Sequence, residues 1–578
     1  MNSAIQDFSS FWASEFPAGW ADVWLKSVLV LLLATGLRLG WRRASAATRH
    51  GMSLTTLISL PFLPLVEIAR SFRHSPKGAG IAMARSTGLQ QRVGAIPDAR
   101  PSRNRIGKRA IGLSILPALG VAFLTAGISG ENRAGGWSLD RSPAAVQLNR
   151  FVAEKKAQAE AGCRAEGKEY LPGYARIFAA AEKGDWLTIS NAFEDLRQRA
   201  PQYERRAGAT NDVRLHGIAW ETVKEIWGAF YAFNVSGEKY SLAWSDGIIH
   251  SIPPGSVYFG GTDPGRFLIT AMAKSQIHGD PFFILTQNAM ADNSYLDYLR
   301  SMYNGRIYIP TKEDSQRCFD EYVSDASARL AHDEAFPREA REVRPGENLN
   351  RGSDGKVEVS GQVAVMSING LLTRIIFEKV PDREFYVEES FPLDWMYPRL
   401  EPHGLIMKIN REEMKELPTD VVRADHAYWT TFVKGALGDG FSQEATVHQI
   451  GEFANKVYVR HDLRGFRGDA EFVENKDPQK MFSKLRVSQA GVYAWRVERA
   501  NGEADKRRMA QEADFAFRQA WALCPDAPES VFRYVTFLIG QKRAPDALVV
   551  AETALALDPQ NASIDALVRQ LKQMPAGR

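Results

Sequence analysis

The residues best suited to chemistry gather in one stretch, 256–300, which reads SVYFGGTDPGRFLITAMAKSQIHGDPFFILTQNAMADNSYLDYLR. Thr262, Asp263 and Arg266 follow one apolar run; Asn288 and Asp292 follow another. Hydroxyls, amides and carboxylates at such places hold small polar ligands. Glycines before a helix start also let the backbone approach an anion, and Arg266 in the first turn would complement it. The same residues suit helix capping. Asp263 or Thr262 is a good cap, Pro264 fits the first helical position, and Asp292 or Asn293 can cap a second helix. The spacing is GGxxxG rather than GxGxxG, and no GK[ST] follows. Capping explains most of the Asp, Pro and Gly here. It does not require the cluster of Thr286, Gln287 and Asn288 at a second strand end.

Other constellations are few. Glu388 and Glu389 end a strand-like run, near Asp394 and Trp395. Carboxylates beside aromatics serve glycosidic chemistry, but a solvated strand end and a core tryptophan satisfy the same pattern. The ten histidines form no HExxH and no close pair, and no GxSxG is present. Cys163, Cys318 and Cys524 lack any zinc spacing. They read as buried small side chains, with one disulfide open to an oxidising compartment. The sequence therefore implies no metal and no cofactor, and it shows no catalytic set.

The elements that must position the first cluster follow one plan, used twice: an apolar β-rich run, a polar turn, then a helical pattern. Strands are expected at 257–259 and 282–285, with a third at RIYIP (306–310) and later ones in EFYVEES and GLIMKIN. A polar linker is expected at about 344–356. Alternation of this kind predicts an α/β domain over 237–440, Rossmann-like and layered, with a mostly parallel sheet of roughly five strands. In such sheets ligands lie at the carboxyl ends of the strands, where the polar cluster falls.

With 45% hydrophobic and 24% charged residues, the 578-residue chain is neither disordered nor fibrous. Its net charge of +4 hides an asymmetry, because residues 42–109 carry 13 basic and 2 acidic side chains. Those basic residues lack interleaved aromatics, which argues against nucleic acid. They lie beside apolar stretches at 23–41, 52–66 and 110–129. The last is about 20 uncharged residues, the length of a membrane span. The middle one holds Pro61 and Pro64 and is short for a crossing. Arg103, Arg105, Lys108 and Arg109 precede the third stretch, so residues after about 131 are expected outside the cytoplasm, anchored to membrane lipid through residues 1–130.

Residues 131–236 read as a helical neck. LPGYARIFAAAEKGDWLTISNAFEDLRQRAP is a helical hairpin turning at Gly184–Asp185, and Trp220, Trp227 and Tyr231 lie on a further helix. From about 479 the chain is helical again. Ala513 and Ala547, Ala520 and Ala554, Leu523 and Leu557, and Pro525 and Pro559 are each 34 residues apart. That is the tetratricopeptide period, and residues 486–574 resemble such repeats. The resemblance implies a surface for a protein partner.

YFGGTDPGRF…DPFFILTQNAMADNSYLDYLR, followed by VMSINGLLTRIIFE…EFYVEES…HGLIMKI, resembles the soluble domain of multispanning protein O-mannosyltransferase-like membrane proteins. The likeness covers about 237–410 and is one of pattern. It implies an extracytoplasmic α/β domain followed by tetratricopeptide helices. That family's transfer chemistry belongs to a many-helix membrane region, and this chain has three apolar stretches at most. No catalytic residue carries over. The expectation is a membrane-anchored binding or assembly protein of the cell envelope. The alternative is a glycan-directed enzyme or a non-catalytic subunit of a glycosyltransferase system.

Overall fold

The computed structural model describes residues 139, 142–200, 212, 214–261, 263–344, 346–352, 356–388 and 393–574. The three apolar stretches at 23–41, 52–66 and 110–129 lie outside these residues. Among the described residues no helix is long and apolar enough to cross a membrane.

The neck forms α1 (Ala145–Ala165), α2 (Pro172–Ala181) and α3 (Trp186–Arg199), followed by α4 (Ile218–Ser236) and α5 (Glu238–Ile249). The α2–α3 hairpin turns where its sequence says it should. Gly184 takes φ +68°, which disfavours a Cβ, and Asp185 caps α3 by accepting from the Thr188 N–H at 3.1 Å. The α/β part then runs β1 (Val257–Gly260), α6 (Asp263–Met272), β2 (Phe283–Thr286), α7 (Asn293–Tyr303), α8 (Lys312–Ala335), β3 (Asn348–Arg351), β4 (Val357–Ser360), α9 (Gln362–Lys379), β5 (Phe385–Val387), β6 (Leu400–His403) and β7 (Ile406–Ile409). Helices close the chain: α10 (Thr419–Leu437), α11 (Val447–Ala454), α12 (Ala470–Glu474), α13 (Lys476–Val497), α14 (Glu503–Leu523), α15 (Pro528–Gly540), α16 (Ala544–Leu557) and α17 (Ala562–Gln573).

The main sheet has five short strands in the order β2-β1-β5-β7-β6. It is a small mixed sheet rather than a mostly parallel one. β1 pairs in parallel with β2 and β5, while β7 runs antiparallel to both β5 and β6. The reason is local. Only Gly404 and Leu405 separate β6 from β7, and so short a link permits only antiparallel pairing. β6 carries Pro402, which an edge strand tolerates.

Both faces of the central strands are covered. Val257, Phe259, Phe283, Leu285, Phe385 and Val387 share one core with Leu296 and Leu299 of α7 and Leu372 and Ile376 of α9. Their alternates Tyr258, Ile284 and Tyr386 join a second core with Trp244 of α5 and Leu268 and Ile269 of α6. The period of two thus places a helical layer on each side. The second core is continuous from Leu139 through the neck to Leu571 of α17. Each fully buried Leu, Ile or Phe in it contributes about 1.5–3 kcal/mol.

RIYIP is not a strand. Ile307 and Ile309 are buried and alternate as a strand would, but no sheet edge accepts them. The outer edge of β2 is already closed by side chains of α7. The Tyr303 hydroxyl accepts from the Ile284 N–H and donates to the Ile284 carbonyl, both at 2.9 Å. The Tyr295 hydroxyl accepts from the Thr286 N–H at 2.8 Å. With those groups satisfied, a further strand has nothing to pair with. The expected linker at 344–356 instead contributes β3 to an antiparallel hairpin with β4.

That hairpin is tied to α8 by Glu347, whose carboxylate accepts from Arg329 and Tyr322 side chains and from the Arg344 N–H. Burial alone would raise this carboxyl, but the three donors more than offset it and hold it at about 2, against 4.5 ordinarily. A depressed carboxyl adds stability that is complete above its unfolded value and is lost as pH falls through the folded one. Wild type should therefore lose stability between pH 4.5 and about 2 that Glu347→Gln has already lost at neutral pH. Denaturation midpoints measured across that range check this; parallel curves would refute it.

Candidate functional site

Connections from the central strands leave on opposite faces. The β1-to-β2 crossover uses α6, which packs with the Tyr258 side of the sheet. The β2-to-β5 crossover uses α7 and α9, which pack on the other side. Strand order therefore reverses between β1 and β5, the position at which doubly wound sheets have a crevice at the strands' carboxyl ends.

Three chain segments meet there. After β1 come Gly260 and Gly261. Gly260 has no room for a side chain, since a Cβ would stand 2.6 Å from the Gly265 carbonyl oxygen. Its lack of one lets α6 begin directly over the strand end. After β5 comes Glu388, 1% exposed, whose Oε2 accepts from the Gly261 N–H at 3.0 Å. After β2 comes Asn288, whose side-chain amide donates to the Gly261 carbonyl. The double-glycine turn is thus held from both neighbouring strands.

A cavity of about 260 Å³ adjoins the crevice, with Pro264 and Glu388 in its wall. Its apolar lining is Gly228 and Ala232 of α4, Trp244 of α5 and Met481 of α13, beside Tyr231. Its polar lining is Glu388 with Asp477, Lys480 and Lys484 of α13. The Trp244 indole N–H has no hydrogen-bond partner. Burial pushes the Asp477 carboxyl above its ordinary value, although the Lys480 ammonium draws it down. Two carboxylates, two ammonium groups and aromatic walls around so small a space can orient one polar ligand.

Beneath the crevice lies a buried ionic network. Arg266 of α6 donates to Glu221 at 2.9 Å and stands 3.7 Å from Glu225, both on α4. Its guanidinium lies 4.9 Å from the Tyr295 ring centre. Glu225 accepts from Lys155 of α1 and from the Tyr298 hydroxyl of α7, each at 2.7 Å. Burial alone would raise the Glu225 carboxyl, but the Lys155 ammonium and Arg266 guanidinium together hold it below the usual range. The network fixes α6, and so the start of the crevice, to the neck.

The sequence-predicted residues divide accordingly. Asn288 lies against the 260–261 turn. Asp263 opens α6, described here by its backbone alone, and Thr262 lies outside the described residues. Asp292 caps α7, accepting from the Ser294 N–H at 2.9 Å. Arg266 is engaged in the network rather than lying on the surface. Glu388 was visible as half of a carboxylate pair, but nothing in its surroundings announced its burial. Trp244, Asp477, Lys480 and Lys484 gave no signal, because they come from distant helices whose convergence is tertiary.

Among the described residues no group of acidic, histidine or cysteine side chains could hold a metal ion, and the three cysteines are free and buried. In comparisons with known proteins, no family model, no curated protein and no solved structure matches the chain.

Proposed function

We propose that the chain is a membrane-anchored binding protein of the cell envelope whose α/β part takes a small carbohydrate-like ligand. The carrying observation is the cavity at the β1–β5 crevice, walled by buried Glu388 and by Trp244 with its unpartnered indole N–H. A sugar offers an apolar C–H face to an aromatic ring and hydroxyl edges to carboxylates and amines, and this lining provides both. The reversal of strand order supports a doubly wound, Rossmann-like reading of the sheet. The resemblance to the soluble domain of O-mannosyltransferase-like proteins agrees with a glycan ligand. In this proposal, the charge asymmetry places the folded region outside the cytoplasm, and the tetratricopeptide-like tail offers a protein partner its surface.

The second reading, a glycan-directed enzyme or subunit, draws on one observation. Two carboxylates line one cavity, and burial shifts one of them, Asp477, upward, in the direction a general acid requires.

Thermal denaturation of the full-length protein in detergent, against a panel of neutral, amino and acidic sugars, tests the proposal. A matching sugar at about 100 times its Kd should add about 2.7 kcal/mol of stability. Glu388→Gln should weaken that sugar about tenfold, the loss of one charge-assisted hydrogen bond. No stabilisation by any of the panel would reject the carbohydrate assignment. Release of a product from a bound glycoside would favour the enzyme reading.

A further inference from the structure

The two most exposed large apolar side chains among the described residues lie close to the first of those residues in the chain. Val146, in the first turn of α1, is 83% exposed, and Leu187, in the first turn of α3, is 70% exposed. The entering segment joins these places. Leu139 packs against Gly184, where an added Cβ would lie 2.7 Å from the Leu139 Cβ. Ser142 donates a hydrogen bond to Glu238 at the start of α5. Half-buried aromatics lie on the Leu187 side. The Trp186 ring lies 5.9 Å from Tyr231, which stacks at 5.2 Å on Trp227. Lys183 stands exposed on the same turn as Leu187, and Asp185 is engaged in capping α3.

Soluble surfaces seldom gather such residues without something to cover them. The chain itself indicates the occupant. Residues 110–129 read as a membrane span, and only about ten residues separate their end from Leu139, a reach of about 35 Å at most. An apolar patch rimmed by Trp, Tyr and Lys is the composition of a bilayer interface contact.

We propose that Val146, Trp186, Leu187 and Tyr231 form a lipid-facing patch that seats the folded region on the bilayer surface. The proposal rests on the membrane-anchor reading given above. Tyr231 also lines the cavity, so the cavity lies beside the headgroup layer. A carbohydrate carried on a lipid is then the class of ligand it would meet.

The test uses full-length protein in vesicles of phosphatidylcholine and phosphatidylglycerol. A polarity-sensitive fluorophore is attached at Val146→Cys, Leu187→Cys or, for reference, Phe336→Cys. All three side chains are exposed, so the variants should fold, and the native cysteines are buried. Phe336 ends α8, which packs on α9 across the sheet from α5 and α6. Positions 146 and 187 should show blue-shifted emission and lose more than about half of it to nitroxide lipids, as expected for insertion about 5–10 Å deep. Position 336 should be unaffected. Quenching at 146 and 187 no greater than at 336 would overturn the patch while leaving the anchor intact. Protein that does not float with the vesicles would overturn both.

Discussion

Asp425→Ala should cost about 3–5 kcal/mol, a large share of the roughly 5–15 kcal/mol that folded proteins possess. Asp425 of α10 is 2% exposed and accepts from the Arg486 guanidinium at 2.9 and 3.0 Å and from the Tyr493 hydroxyl at 2.8 Å. Arg486 of α13 is completely buried. It donates to Gln519 of α14 at 2.9 Å and lies 5.2 Å from the Trp429 ring centre. Removing the carboxylate leaves a guanidinium with no countercharge in a dry interior. Replacing both partners, as Asp425→Leu with Arg486→Met, should recover most of the loss, because neither charge is then stranded. Urea midpoints of the full-length protein in detergent measure both. A single variant within about 1 kcal/mol of wild type would contradict the account. Truncation at residue 486 should be at least as damaging, because it strands Asp425 and uncovers Trp429. The tail is a wall of the core rather than an appendage to it.

Glu225→Leu is the second large effect expected, again about 3–5 kcal/mol. Its carboxylate compensates Lys155, which is completely buried, and shares Arg266 with Glu221. Without it the hydrogen-bond partners left to the ammonium, Tyr298, Gln158 and Gln276, are all neutral. Adding Lys155→Met should restore much of the stability. Equal destabilisation in the single and double variants would show that shape, rather than charge, is what the site requires.

Where signals are local, the sequence announced the structure. Val257–Gly260 and Phe283–Thr286 lie where the apolar runs predicted strands, Asp292 caps α7 as its type and position suggest, and Asp185 caps α3. Ala520 and Ala554, matched at a spacing of 34, are both fully buried in helices. Where the answer depends on partners far along the chain, the sequence was silent or misleading. RIYIP has a strand's alternation, but the tyrosines of α7 occupy the edge it would need. The β6–β7 hairpin made the sheet mixed, a consequence of one short turn. The cavity is the extreme case. Glu388 follows three buried strand residues and was at least noticeable, whereas Trp244, Asp477 and Lys484 acquire meaning only when α5 and α13 converge on α4. Arg266 shows the reverse, a polar residue well placed in sequence whose charge is taken up inside the protein.

The packing of α4 on α13 has a consequence in time. Ser236 of α4 meets Met481 across a separation of 245 residues, and Lys239 meets Asp469 across 230. At about 5–20 residues per second, roughly 12–50 s of synthesis separate the two halves of that contact. In the last part of this interval, once residue 409 has been made, the growing chain has the neck and all the strands but lacks the helix that closes one side of α4. Its folding is therefore completed late, by its last quarter, and the uncovered flank of α4 is a surface on which a chaperone could act during synthesis.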